Sequence, residues 1–249
     1  MTQNNKHSAS ETELREQLAA AYRLAAMLDW EDTIYTHFSV RLPGCGEPRF
    51  LINPFGLMFD EIHASDLIIV DMNGKVLEGS SDYNLAGFTI HSAVHMARED
   101  AHCVMHTHTL AGMAVAACEK GLLNLNQIST EFHGRLGYHE YEGVAFNLEE
   151  RSRIQASLSD NIALILRHHG LLSVGGSIPD AFQVMYYLNK ACEIQQACAQ
   201  MGALTPIKTI PDSLAAHVCD QFKSVEHERH TVWDAWVRKL DRLTTDYKD

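Results

Sequence analysis

Cys103-Val104-Met105-His106-Thr107-His108 is the stretch whose reading decides the fold, together with Leu166-Arg167-His168-His169-Gly170-Leu171-Leu172 further along the chain. Side chains alternate across a β-strand, so the H-x-H puts His106 and His108 on one face. A third imidazole, from His169 or its neighbour His168, would arrive on a second strand. Three imidazoles of this kind match the set that holds a catalytic divalent metal and leaves a fourth position open for water or substrate.

Outward from these runs, strands and helices intermix with no Pro/Gly/Ser linker and no repeat. Ser10 and Glu13 form a capping box that opens a helix running to about Leu28. Strands are predicted over 34–42, 50–52 and 67–70, with Asp71-Met72-Asn73-Gly74 turning the chain into 75–77. Helices are predicted over 88–98, 110–119 and 148–158, and strands over 102–108, 162–166 and 171–175. A long helix starts at Pro179-Asp180 and ends near Met201, and 212–243 reads as one amphipathic helical run. The stretch 122–143 has no clear pattern. The resulting organisation is a disordered leader (1–9), one α/β domain (10–205) and a helical C-terminal extension of that domain (206–249).

Bulk properties narrow the function. A chain of 249 residues with 46% hydrophobic and 21% charged residues can bury a full core. The formal charge of −12 argues against a nucleic-acid partner, which would need a basic stripe. There is no apolar run of membrane-spanning length and no signal-peptide h-region. Six cysteines without a C-x-x-C pair suit a reducing cytoplasm.

The motif order resembles the class II aldolase/adducin family. The match rests on Thr36-His37-Phe38-Ser39-Val40-Arg41, on Asn53-Pro54-Phe55-Gly56, on the block from Ala86-Gly87-Phe88 to His108, and on Leu166 to Leu172. The resemblance implies a three-layer αβα domain around a central, mostly antiparallel sheet. It implies a divalent metal held by His106, His108 and His169, the ligand standing directly before glycine. Zn²⁺ is the first expectation, with Fe²⁺ or Mn²⁺ as alternatives. It also implies a homotetramer with the site near a subunit boundary.

Two departures from the family's sugar-phosphate aldolases matter. Those enzymes carry a proton-shuttling acid at the position aligned with Gly87. Here Leu85-Ala86-Gly87 has no ionisable group, and a positioned base contributes ~10²–10⁴ in rate. His91, one turn on, is the substitute proton carrier to test. His91 and His95 also share a helix face, which suits either packing or a second metal pair. The phosphate-binding positions align with Thr36, His37, Phe55, Leu85 and Ala86. Phe and Leu offer none of the donors a dianion needs, so the expected substrate carries no phosphate.

The function expected is that of a metal-dependent lyase, an aldolase or decarboxylase acting on a small hydroxy- or oxo-acid through a metal-stabilised enolate. An Fe(II)- and dioxygen-dependent oxygenase on the same site is one alternative. A non-catalytic adducin-head-like protein is another, although the chain has no basic tail for actin binding. Tyr138, His139, Tyr141, Glu131, His133 and Asp82 are secondary candidates. Trp233 and Trp236 are expected to anchor the last helix.

Overall fold

A computed structural model describes residues 9–44, 46–79 and 82–249. Of the expected leader, residues 1–8 lie outside this range. Helix α1 (Glu11–Met27) begins at the Ser10/Glu13 capping box. Each partner there satisfies an otherwise orphaned N–H of the first turn.

Among the described residues, eight strands make one sheet: β1 (His37–Arg41), β2 (Arg49–Ile52), β3 (Ile68–Asp71), β4 (Val76–Glu78), β5 (Cys103–Thr107), β6 (Leu136–His139), β7 (Ala163–Leu166) and β8 (Gly170–Gly175). Their spatial order is β4-β3-β2-β1-β5-β8-β7-β6. Every pairing is antiparallel except β6 with β7. β5, with its histidines, therefore lies at the middle of the sheet. His37 of β1 pairs opposite His106 on one side, and Leu172 of β8 on the other.

Alternation sends successive side chains to two separate cores. Phe38, Cys103, Met105 and Leu171 pack with α1, α3 (Leu110–Ala116) and α5 (Ile178–Met201). Val104, Leu172 and Val174 pack with Ile90, Ala93 and Val94 of α2 (Leu85–Ala97) and Ile154 and Leu158 of α4 (Arg151–Leu158). Phe50, Ile52 and Phe88 extend that second layer. The result is the helix–sheet–helix sandwich that the family resemblance implies. Its antiparallel sheet, covered on both faces, explains the near-continuous apolar strands.

Helix α2 begins three residues before the expected start, because the Asn84 side chain accepts the Gly87 N–H and caps it. The expected run 212–243 is two helices, α6 (Asp212–Ser224) and α7 (Arg229–Asp241), joined through a short 3₁₀ turn at Glu226–Glu228. Trp233 and Trp236 of α7 pack edge-on against Phe182 of α5, at 5.4 and 6.1 Å between ring centres. Buried Tyr247 donates to Asp241, and the Asp249 carbonyl accepts the Ser65 N–H. Among the described residues, five cysteines are free thiols and no helix is long and apolar enough to cross a membrane.

Candidate metal centre

His106 sits near the end of β5, and its Nδ1–H donates to the Leu171 carbonyl of β8 at 2.9 Å. His108 lies just past the strand end, with Nδ1 2.8 Å from Asp32 Oδ2. A carbonyl and a carboxylate only accept, so each neutral ring carries its proton on Nδ1 and leaves Nε2 bare. Those two bare Nε2 atoms stand 2.9 Å apart. Two lone pairs at that distance repel, and a shared cation relieves the repulsion.

His169 comes from the turn between β7 and β8. Its ring centre lies 4.7 Å from that of His106 and 4.8 Å from that of His108. One ligand atom from each of the three falls within 4.8 Å of the others. Of the adjacent pair, His168 takes a left-handed backbone (φ 56°) and turns outward, exposed, its ring 6.4 Å from Tyr141. Gly170 allows the turn to close onto β5. A Cβ there would stand 2.4 Å from the Thr107 carbonyl oxygen and 3.0 Å from His108 Cδ2.

Burial and the neighbouring rings hold His106 well below the ordinary imidazole range. The same causes bring His169 down to about 4. Metal ligation needs neutral imidazole. The donor set therefore fits a divalent cation. A carboxylate behind one ligand and a carbonyl behind another supply the outer support such sites use to fix the ring tautomer.

The position lacking an acid is not empty. The His37 ring fills it: a Cβ on Gly87 would stand 2.5 Å from His37 Cδ2 and 2.8 Å from its Nε2. That ring stacks on His106 at 5.0 Å. His91, the expected proton carrier, is fully buried behind it, with Nε2 2.8 Å from His37 Nδ1. His91 meets the cavity only through His37. His95 does not converge with His91 on a common cation position; the Ser39 hydroxyl stands between them.

A cavity of about 460 Å³ opens above the three histidines. Tyr35, Phe55, Tyr83, Leu85, Val144 and Phe146 form much of its wall, and no lysine or arginine is among the described residues lining it. Of the phosphate-aligned positions, His37, Phe55, Leu85 and Ala86 face the cavity. Thr36 is buried, its hydroxyl 3.4 Å from the Asp32 N–H.

The other candidates fall elsewhere, with one exception. Tyr141 lines the cavity. The Tyr138 hydroxyl accepts the Leu122 N–H under the Arg167 guanidinium, and so closes a loop. His139 is buried between Ser157 and Glu150. Glu131 is buried and paired with Arg229 at 2.9 Å. His133 meets the Asn124 amide. The Asp82 carbonyl accepts the Phe55 N–H. Asp32 and Ser39 carry no local sequence signal for the contacts they make here.

The family model for the class II aldolase and adducin N-terminal domain matches residues 16–196. The chain belongs to the class II aldolase and adducin family. Within that family, a Pseudomonas aeruginosa protein assigned by name to aldolase class 2 is 48% identical over 97% of this chain and 94% of its own length. Alpha-adducin of Rattus norvegicus is 44% identical over 73% of this chain, a match that spans 25% of adducin. Among solved structures, an aldolase II superfamily protein from Pseudomonas syringae superposes over the whole of both chains, with TM-score 0.89 and 44% identity. L-fuculose 1-phosphate aldolase from Glaciozyma antarctica gives TM-score 0.83 and 29% identity over 96% of this chain and 93% of its own.

Proposed function

We propose that this class II aldolase-family chain is a metal-dependent lyase. It cleaves or forms a carbon–carbon bond in a small hydroxy- or oxo-acid that carries no phosphate. The observation behind this is one cavity with three clustered imidazoles at its floor and walls without a described cation. His106, His108 and His169 hold the metal, with Zn²⁺ first and Fe²⁺ or Mn²⁺ as substitutes. Asp32 and the Leu171 carbonyl fix the orientation of two of the rings. When bound, the cation supplies positive charge for the enolate that carbon–carbon cleavage generates.

The remaining chemistry belongs to the chain's own side chains. Phe55, Leu85 and Phe146 displace water around the reacting carbons and lower the local dielectric, which strengthens every charge interaction inside. His37 faces the substrate where family aldolases place their acid, and His91 acts through it. We place the protein in the cytoplasm as a homotetramer, with free thiols consistent with a reducing compartment.

Metal analysis of the purified protein with a His108→Ala control tests the site. The expected result is stoichiometric metal that the variant loses. L-fuculose 1-phosphate, the substrate in the name of one structural relative, tests the substrate class, and robust cleavage of it overturns the phosphate-free assignment. The identity to alpha-adducin, together with the glycine at 87, favours a second reading as a non-catalytic head domain. Stoichiometric metal without turnover of any 2-hydroxy or 2-oxo acid would select it.

A further inference from the structure

Behind the metal-side wall of the cavity runs a buried chain of polar groups. From the interior outward it comprises the Ala101 carbonyl, His95, Ser39, His91 and His37. His95 Nδ1 lies 3.1 Å from the Ala101 oxygen, and Ser39 Oγ lies 2.8 Å from His95 Nε2. Ser39 Oγ lies 2.5 Å from His91 Nδ1, and His91 Nε2 lies 2.8 Å from His37 Nδ1. All four side chains are buried. Two short patterns build the chain: His37-x-Ser39 on one face of β1 and His91-x-x-x-His95 on one face of α2.

The direction of every bond follows from its inner end. A carbonyl can only accept, so His95 carries its proton on Nδ1 and has a bare Nε2. Ser39 must then donate to His95, which leaves its lone pairs to accept from His91 Nδ1–H. His91 Nε2 is therefore bare and accepts from His37 Nδ1–H. His95 and His91 are neutral, because burial brings His95 down to about 3 and lowers His91 strongly, and the bare His91 Nε2 fixes the His37 proton on Nδ1 by geometry. The chain thus ends at His37 with Nε2 carrying a lone pair, on a ring that lines the cavity and packs against Gly87.

We propose that the Ala101 carbonyl, acting through His95, Ser39 and His91, locks His37 in the Nδ1–H tautomer. His37 Nε2 is then a dedicated hydrogen-bond acceptor for a hydroxyl of the substrate. His37 is the specificity-determining residue, and Ser39, His91 and His95 are positioning residues that act through it. The substrate class is narrowed accordingly to a 2-hydroxy acid that presents an O–H beside the metal-facing end of the cavity. An acid at position 87 could not coexist with this ring, because the Cβ alone would overlap it. Substrate recognition rests on the metal-dependent function proposed above; the tautomer does not.

Proton–nitrogen correlation spectra of protein labelled with ¹⁵N-histidine read the tautomers directly, with or without Zn²⁺. His37, His91 and His95 should all appear as Nδ1–H rings. In Ser39→Ala the lock is gone, and His91 and His37 should shift toward the commoner Nε2–H form. For the zinc-loaded protein, glycolate should bind about tenfold more tightly than methoxyacetate, the loss of one well-placed hydrogen bond. It should also move the His37 Nε2 resonance, and Ser39→Ala should erase the preference. A His37 ring protonated on Nε2 in the wild type overturns the lock. A correct tautomer with equal binding of the two acids, or with no glycolate-induced shift, overturns the recognition role. Absence of bound zinc, by contrast, counts against the metal-dependent function and leaves the tautomer result intact.

Discussion

Asp32 is the residue on which the geometry of the metal site most depends without touching the cation position itself. It holds the His108 Nδ1–H at 2.8 Å, so His108 Nε2 faces His106 in the unprotonated form. Outer partners of this kind change metal affinity by about 10–100-fold. Asp32→Ala should weaken zinc binding within that range in a competition titration against a chelator, and Asp32→Asn should lose less. Unchanged affinity in Asp32→Ala would remove Asp32 from the site. Gly87 makes the opposite demand, for absence of a side chain. Gly87→Ala should destabilise the fold by roughly 1–3 kcal/mol through overpacking against His37, against alanine's usual helix advantage of about 0.5–1 kcal/mol over glycine. Paired with His37→Ala, the same substitution should cost nothing in urea denaturation, and a cycle showing no coupling would refute the contact. His106 and His108 are legible because H-x-H is a local pattern, and His169, next to His168, because the family resemblance places the ligand before glycine. Asp32 is not: it stands among Asp29, Glu31 and Thr33, and no local feature tells which acid reaches a histidine 76 positions away. His37 reads as a phosphate-site position, but its contact with Gly87 crosses two elements and leaves no mark in the sequence.

Strands β5, β7 and β8 could be read from the chain because they are continuous apolar runs at the centre of a doubly covered sheet. β6 could not. Its burial alternates, but the buried positions are Gly137 and His139 while Leu136 and Tyr138 are only half-covered. Hydrophobicity and burial are therefore out of phase, and the small residue is required by the close approach of α4, where a Cβ would meet the Ser157 carbonyl at 2.2 Å. The break between α6 and α7 was equally hidden, since no glycine or proline marks Val225. Packing dictates it: α7 must swing to reach Phe182 and Tyr186 of α5. Arg229 at the first position of α7 fixes that swing through Glu131, whose side chain is 3% exposed. Burial pushes the Glu131 carboxyl up despite the guanidinium beside it, so the pair depends on both partners. Arg229→Ala should cost roughly 3–5 kcal/mol by stranding a buried charge. Adding Glu131→Gln should recover much of that in chemical denaturation. Equal stability of the single and double variants would show that the carboxylate is solvated after all.

At the scale of the whole molecule, the imidazoles held neutral inside the domain tie its stability to pH. His95 is brought down to about 3, first by burial and then by the Arg41 guanidinium, with His102 adding a smaller push in the same direction. His91 lies well below its ordinary range, first by burial and then by His37 and His95. In the unfolded chain both return to about 6.5. A depressed folded-state value means that the unfolded state binds protons the native state refuses. The contribution is therefore neutral above about pH 7 and turns against folding as pH falls below 6.5. His95, whose folded value lies below that window, subtracts about 1.4 kcal/mol per pH unit through it. From pH 6.5 to 5 His95 should remove on the order of 2 kcal/mol, with His91 acting in the same direction, before most carboxylates begin to titrate. Urea denaturation across this interval should give a slope that His95→Gln reduces by about one proton, since the glutamine amide can still bridge Ser39 and the Ala101 carbonyl without titrating. Parallel slopes for wild type and variant would mean that His95 is protonated in the folded protein. The Ala101 carbonyl could then no longer set the direction of the chain that ends at His37.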